Sequence, residues 1–241
     1  MTARQRAYLM TMGITTWVDQ SAQEMVASDE TSSAGIANPA TTNALNQTKQ
    51  SLDIASLEWA ELAEQVASCR LCDLHSSRTQ AVFGVGNPLA DLMFVGEAPG
   101  ADEDRQGEPF VGRAGQLLNE MLRAIGLQRQ QVYIANILKC RPPNNRDPRP
   151  EEVEQCVPYL YRQIALIQPK LIVAVGRIAA QRLLKTDISL SKLRNKIHTL
   201  PETQTPFIVT YHPAYLLRSP LEKRKAWQDL LFVKQTLNSS R

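Results

Sequence analysis

Nowhere does this sequence run to the roughly 18 consecutive apolar residues that a membrane span requires. Its opening residues, MTARQRAYLMTMGITTWVDQ, lack the charged–apolar–small order of a secretory signal. Together these absences set aside membrane insertion and secretion, and the expectation is a cytoplasmic protein. Neither sign of charge is in large excess: a net charge of +3 permits a nucleic-acid partner without demanding one. No internal repeat is present, which excludes a solenoid. Histidines number three and cysteines four. A chain of 241 residues can bury a core without disulfide staples, so four cysteines call for another explanation.

What is present falls into two parts. Residues 27–51, ASDETSSAGIANPATTNALNQTKQS, are rich in Ala, Ser, Thr and Asn and hold few large apolar residues. Such a composition buries too little surface to fold. Residues 1–55 are therefore expected to be a disordered or weakly structured extension and linker, and residues 56–241 the folded domain. From there strand and helix alternate. SLEWAELAEQVASC reads as a helix with Ser56 as N-cap, DLMFVG as a buried strand, and AGQLLNEMLRAIGL as a helix stopped by Gly126. VYIANIL, KLIVAVG and PFIVTY are further strands. PEEVEQCVPYLYRQIALIQP, with Pro158 expected to kink it, GRIAAQRLLK and PLEKRKAWQDLLFVKQTL are helices. Four strands separated by helices predict an α/β fold, a mostly parallel four-stranded sheet with helices on both faces. Ligands bind such sheets beyond the carboxyl ends of the strands. The residues there are Glu97 after the first strand, Asn136 at the end of the second, Gly176 after the third and His212 after the fourth.

The first of these loops, GEAPGADEDRQGEPFVGRAG, is glycine-rich but lacks the Lys and Ser/Thr of a phosphate-binding loop and the spacing of a dinucleotide fingerprint. Its acids, Glu97, Asp102, Glu103, Asp104 and Glu108, would repel phosphate. Asp102 and Asp104 are expected to face solvent. Glu97, at the strand's end, is expected to face a neutral group or one that becomes positive. Cleavage of a glycosidic bond develops such a charge on the sugar, where a carboxylate stabilises it and water attacks. The leaving base becomes negative and needs a cation or a strong donor; His212, fixed in its turn by Pro213, is the candidate. His75 and His198 are read as structural.

Cys69 and Cys72 form a C-x2-C pair, with Cys140 and Cys156 far downstream. Four thiolates suit either structural zinc or an iron–sulfur cluster. Basic residues gather around Arg141 and Arg146 and again around Arg218, which suits a solvated face or phosphate contacts.

The motifs GEAPGADEDRQGEPFVGRAGQLL, NILKCRPPNNRDPRPEE and HPAYLLR, with the C-x2-C ahead of them, closely resemble the family 4 uracil-DNA glycosylases over roughly residues 57–237. The resemblance implies a three-layer α/β/α sandwich and release of uracil from DNA without strand cleavage. It implies a structural [4Fe–4S] cluster held by Cys69, Cys72, Cys140 and Cys156. It places Glu97 and Ala98 at the uracil and water site, Glu103 as a second acid linked to catalysis and Phe110 as the ring on which the extruded base stacks. Asn136 becomes the amide that reads the base, and His212 the support for the departing uracil. Arg141, Arg146 and Arg218 become candidates for phosphate contacts. Leu216 or Leu217 becomes a wedge for the gap left by the flipped base. The implied partner is uracil-containing DNA, single- or double-stranded, bound by a monomer. A non-catalytic iron–sulfur DNA-binding module is the alternative.

Overall fold

The protein was analysed as a computed structural model, which describes residues 53–239; the expected extension lies almost wholly outside them. Ile54 already packs against the core, two residues ahead of the expected boundary.

The elements alternate as expected. The helix α1 (Trp59–Ser68) begins later than its sequence suggests. Ser56 ends a short 3-10 turn, and the cap position falls to Glu58, whose N–H donates to the Glu61 carboxylate at 3.0 Å. There follow β1 (Val85–Gly86), β2 (Leu92–Gly96), α2 (Ala101–Gln106) and α3 (Arg113–Ala124). Then come β3 (Tyr133–Asn136), α4 (Pro150–Ile167), β4 (Leu171–Val175) and α5 (Arg177–Leu184). The chain closes with α6 (Leu190–Leu193), β5 (His198–Thr199), β6 (Pro206–Thr210), α7 (Pro213–Arg218) and α8 (Lys223–Ser239). Helix α4 runs unbroken through Pro158. Losing one backbone hydrogen bond there is outweighed by a continuous buried face that includes Val153, Leu160, Ile164 and Ile167.

The sheet has the order β1-β3-β2-β4-β6-β5. Its central four strands are the expected ones and pair in parallel. Two-residue strands β1 and β5 add antiparallel edges; pieces so short leave no periodicity to read. Because side chains alternate along a strand, Met93 and Val95 join one core with α1, α4 and α5. Leu92 and Phe94 join another with α3 and α8. The result is a three-layer α/β/α sandwich. A smaller cluster, with Met121, Tyr211, Leu216 and Leu230, closes one end.

Candidate active site

The four strand ends converge. A cavity of about 390 Å³ is lined by Glu97, Ala98, Glu103, Phe110, Asn136 and His212, with Arg146 and Arg218 also on its wall. A larger hollow, about 610 Å³ and lined from α4 and α5, holds none of these residues except through its shared neighbour Asp147. Size alone does not mark the site.

Asn136 ends β3, and its Oδ1 is the one buried side-chain polar atom among the described residues without a hydrogen-bond partner. Leaving such an atom unpaired costs about 1–3 kcal/mol, so it is a position built to receive a donor. Room for it comes from Gly96, opposite Asn136 in the sheet. A Cβ there would lie 2.3 Å from Asn136 Oδ1 and 2.7 Å from the Phe110 ring.

Phe110 is buried with φ of 54°, a backbone strain of order 1–3 kcal/mol for a bulky residue. Two charged side chains hold it there. Glu103 accepts the N–H groups of Val111 at 3.0 Å and Gly112 at 3.3 Å on one oxygen, and that of Gly100 at 3.0 Å on the other. Arg129 donates to the carbonyls of Pro109 and Phe110. Glu103 was expected as a second catalytic acid. With three backbone donors on its carboxylate, it is geometrically a clamp on the aromatic loop. The acids that looked anomalous in a glycine loop also find an explanation: Asp102, Glu103 and Asp104 fall in the first turn of α2, where the helix dipole favours negative charge. Asp102 is half-exposed and pairs with Arg105 at 2.5 Å. Asp104 is not: it is buried and accepts the Thr79 N–H at 2.9 Å.

Glu97 has no hydrogen-bond donor on its carboxylate among the described residues. Burial raises its pKa to about 7, Asp147 adds to the rise and Arg177 opposes it. His212 caps α7. Its Nδ1 accepts the Ala214 N–H at 3.1 Å, which in the neutral ring puts the proton on Nε2. Burial lowers its pKa to about 4, helped by Arg218 and opposed by Glu103. His212 is therefore a neutral donor rather than a cation at physiological pH. Its ring lies 5.6 Å from that of Phe110, tilted by 32°. Gly176 has φ of +101° and approaches His212 so closely that a Cβ would sit 3.0 Å from the histidine's own.

The expected DNA contacts are less uniform. Leu216 is 1% exposed and packs inside the closing cluster, so it cannot serve as a wedge. Its place on α7 turns it inward, while Leu217 is half-buried and Tyr215 exposed. Arg146 has its guanidinium on Glu152, at 2.9 and 2.5 Å, and Arg141 donates to Asn145 at 2.8 Å. Arg218 has neither hydrogen bond nor ion pair among the described residues.

The four cysteines, all free thiols, line one further cavity with His75, Lys139 and Tyr159. Burial pushes Cys156 up to about 12 and also raises Cys72 and Cys140. Donors oppose this: Arg78 reaches Cys140 Sγ at 2.9 Å, and the Lys139 N–H reaches Cys156 Sγ at 3.2 Å. Among the described residues no three His, Cys, Asp or Glu side chains form a group that could hold one metal ion. Lys139 itself is fully buried. Its ammonium donates to the carbonyls of Phe83 (3.2 Å) and Asn136 (3.0 Å) and to Gln163 Oε1 (2.6 Å). Sequence reasoning missed both Lys139 and Arg129, since charged residues read as surface. Only the position of Lys139 beside Cys140 pointed inward.

A parallel sheet whose strand ends bring an acid, an amide and an imidazole into one crevice defines an enzyme of the three-layer α/β class. Residues 83–231 match the model of the uracil DNA glycosylase superfamily, and the chain belongs to that superfamily. It is 51% identical to the type-4 uracil-DNA glycosylase of Archaeoglobus fulgidus, over 66% of this chain and 83% of the relative. It is 44% identical to that of Sulfurisphaera tokodaii (73% and 83%) and 48% to that of Thermotoga maritima (66% and 82%).

Proposed function

We propose that the protein excises uracil from DNA by hydrolysing its N-glycosidic bond, with Glu97, Phe110, Asn136 and His212 as the working residues. The unpartnered Asn136 oxygen carries this reading. Uracil presents N3–H beside the carbonyl at C4, so one amide accepts the first and donates to the second; cytosine reverses both and is refused. Phe110 supplies the stacking surface. As the C1′–N1 bond breaks, its electron pair leaves with uracil, and the His212 Nε2–H donates to the negative charge spreading to O2. Ionised Glu97 stabilises the cationic sugar and takes the proton of the water that adds to C1′. Ala98 lines the water site, and Glu103 holds the loop that carries Phe110. The products are free uracil and an abasic site, with the strand intact.

The cysteine cavity fits an iron–sulfur cluster better than zinc. A single zinc ion needs its ligands gathered around one point, and the described residues form no such group. Cys69, Cys72, Cys140 and Cys156 would hold a [4Fe–4S] cluster, which when bound supplies a structural tie between α1, the segment after β3 and α4. Hydrolysis balances without electron transfer. Residues 56–241 would act as the catalytic domain of a cytoplasmic monomer on single- and double-stranded DNA, with Arg218 the most available phosphate contact. No helix among the described residues is long and apolar enough to cross a membrane.

The test is uracil release from a uracil-containing oligonucleotide, with protein purified from a host lacking its own uracil glycosylases. Glu97→Gln, Asn136→Ala and His212→Ala should each cut release sharply while the cluster absorbance stays. Full activity in all three would overturn the assignment.

A further inference from the structure

A second cavity of about 390 Å³ shares Glu97, Asp147, His212 and Arg218 with the first or its wall and opens on their other side. Its remaining lining is Gly176, Arg177 and Ile178 at the start of α5, Leu190, and the rings of Tyr211 and Tyr215. The size is that of a small-ligand pocket, and no step of uracil hydrolysis uses it. We propose that it is a subsite for the nucleotide adjacent to the target in the same strand, with that nucleotide's base stacked on Tyr215 and its phosphate met by Arg218. This rests on the target uracil occupying the first cavity.

Three observations carry it. The first is continuity: the two hollows share the Glu97 and His212 wall, so a strand with one nucleotide extruded into the first must pass the mouth of the second. The second is the aromatic surface. Tyr215 is 37% exposed, and its ring stacks on Tyr211 at 5.3 Å with 23° between planes. Tyr211 is itself held, with the Arg194 guanidinium 4.5 Å from its ring centre. Arg194 is locked by a buried two-pronged pair with Asp229, at 2.8 and 2.7 Å, and Asp229 is tied to Thr210 at 2.8 Å. A ring anchored through such a chain is presented to solvent with little ordering left to lose on binding. Base–aromatic stacking of this kind tolerates any base, as a flanking position requires.

The third is charge. Arg218 is exposed and unpaired among the described residues, whereas one acid of the lining, Asp147, is met by Arg177 at 3.2 Å. Glu97, the other acid of this lining, belongs to the wall shared with the first cavity, so Arg218 is the lining cation left free to meet a phosphate.

Three single-stranded oligonucleotides test the subsite: one with uracil between ordinary nucleotides, and two in which the 5′ or the 3′ neighbour is a tetrahydrofuran abasic residue. The abasic residue keeps the phosphate and deletes the stacking base. In the wild-type protein, deletion on one side alone should lower kcat/KM about tenfold, mainly through KM. Tyr215→Ala should lose a similar factor on the intact substrate and be indifferent to the deletion. Tyr215→Phe, which keeps the ring, should retain the wild-type sensitivity to it. Wild-type indifference on both sides would refute the subsite, as would a Tyr215→Ala protein as sensitive as wild type. Uracil released equally from all three substrates refutes the subsite alone, while release from none refutes the proposed function.

Discussion

Glu97 and His212 are both displaced by burial, in opposite directions: the shift favours the neutral ring that the proposed mechanism asks of His212, and opposes the ionised carboxylate that it asks of Glu97. In the proposed mechanism Glu97 works ionised. With its pKa raised to about 7, kcat/KM should climb as pH rises through about 7 and level off above it. His212 is proposed to work neutral. With its pKa lowered to about 4, it should impose no fall in rate between pH 5 and 8. A pH–rate profile that descended across that interval would contradict both assignments. The same shift has a stability consequence. A carboxyl whose folded pKa is raised binds more protons folded than unfolded, so its ionisation weakens the fold as pH rises from about 4.5 to about 7. Glu97→Gln should then cost roughly 10²- to 10⁴-fold in rate yet raise the melting temperature at pH 8. A shift of this size corresponds to at most about 3 kcal/mol. A melting temperature that is lower at pH 8 would count against the desolvated site.

At the scale of elements, the strands and longer helices were legible because each writes its burial as a period: two-faced runs such as Leu92–Gly96, and the stripe of Leu118, Met121, Leu122 on α3. Strand-end listing then located Glu97, Asn136 and His212 together, without any contact being known. What stayed hidden were features that leave no period. Strands β1 and β5 are two residues each. Helix α7, six residues long, is too short for its pattern to say that Leu216 rather than Leu217 turns inward. Nor could residue type tell a carboxylate that clamps a loop, Glu103, from one that faces a substrate. That clamp can be tested from the side the sequence concealed. Arg129→Gln removes donors from the Pro109 and Phe110 carbonyls and leaves Glu103 alone to hold a left-handed phenylalanine. The expected cost is about 1–3 kcal/mol of stability and a rise in KM larger than the fall in kcat. Gly96→Ala should act more severely, since its methyl would displace both the Asn136 oxygen and the Phe110 ring. Activity should vanish while circular dichroism stays native.

Across the folded domain, the thiol cavity and the Asn136 amide proposed to read the base are connected through one buried cation. The Lys139 backbone bonds Cys156, while its ammonium bonds the Asn136 carbonyl, the Phe83 carbonyl and Gln163. Gln163 in turn reaches the Phe83 carbonyl at 3.0 Å and the Tyr133 hydroxyl at 3.2 Å. Every member of this network is satisfied, a condition under which a buried polar cluster stiffens its surroundings. A buried charged group together with its polar partners can often be replaced by well-packed hydrophobic residues at little loss. Its presence here makes sense if it fixes the end of β3 relative to α4, and so fixes where the Asn136 amide points. Lys139→Met keeps the length and removes the donors, taking its bond from the Asn136 carbonyl and from Gln163 Oε1 while the Phe83 carbonyl keeps that from Gln163. The expected destabilisation is about 1–3 kcal/mol, read as a lower urea midpoint. A general loss of stability would leave the surviving folded protein fully selective. Loss of orientation at Asn136 would instead weaken inhibition by free uracil and narrow the preference for uracil over cytosine, at a temperature where circular dichroism and the cluster absorbance are both native. Unchanged uracil inhibition in the folded variant would reduce Lys139 to a packing residue and separate the thiol cavity from base recognition.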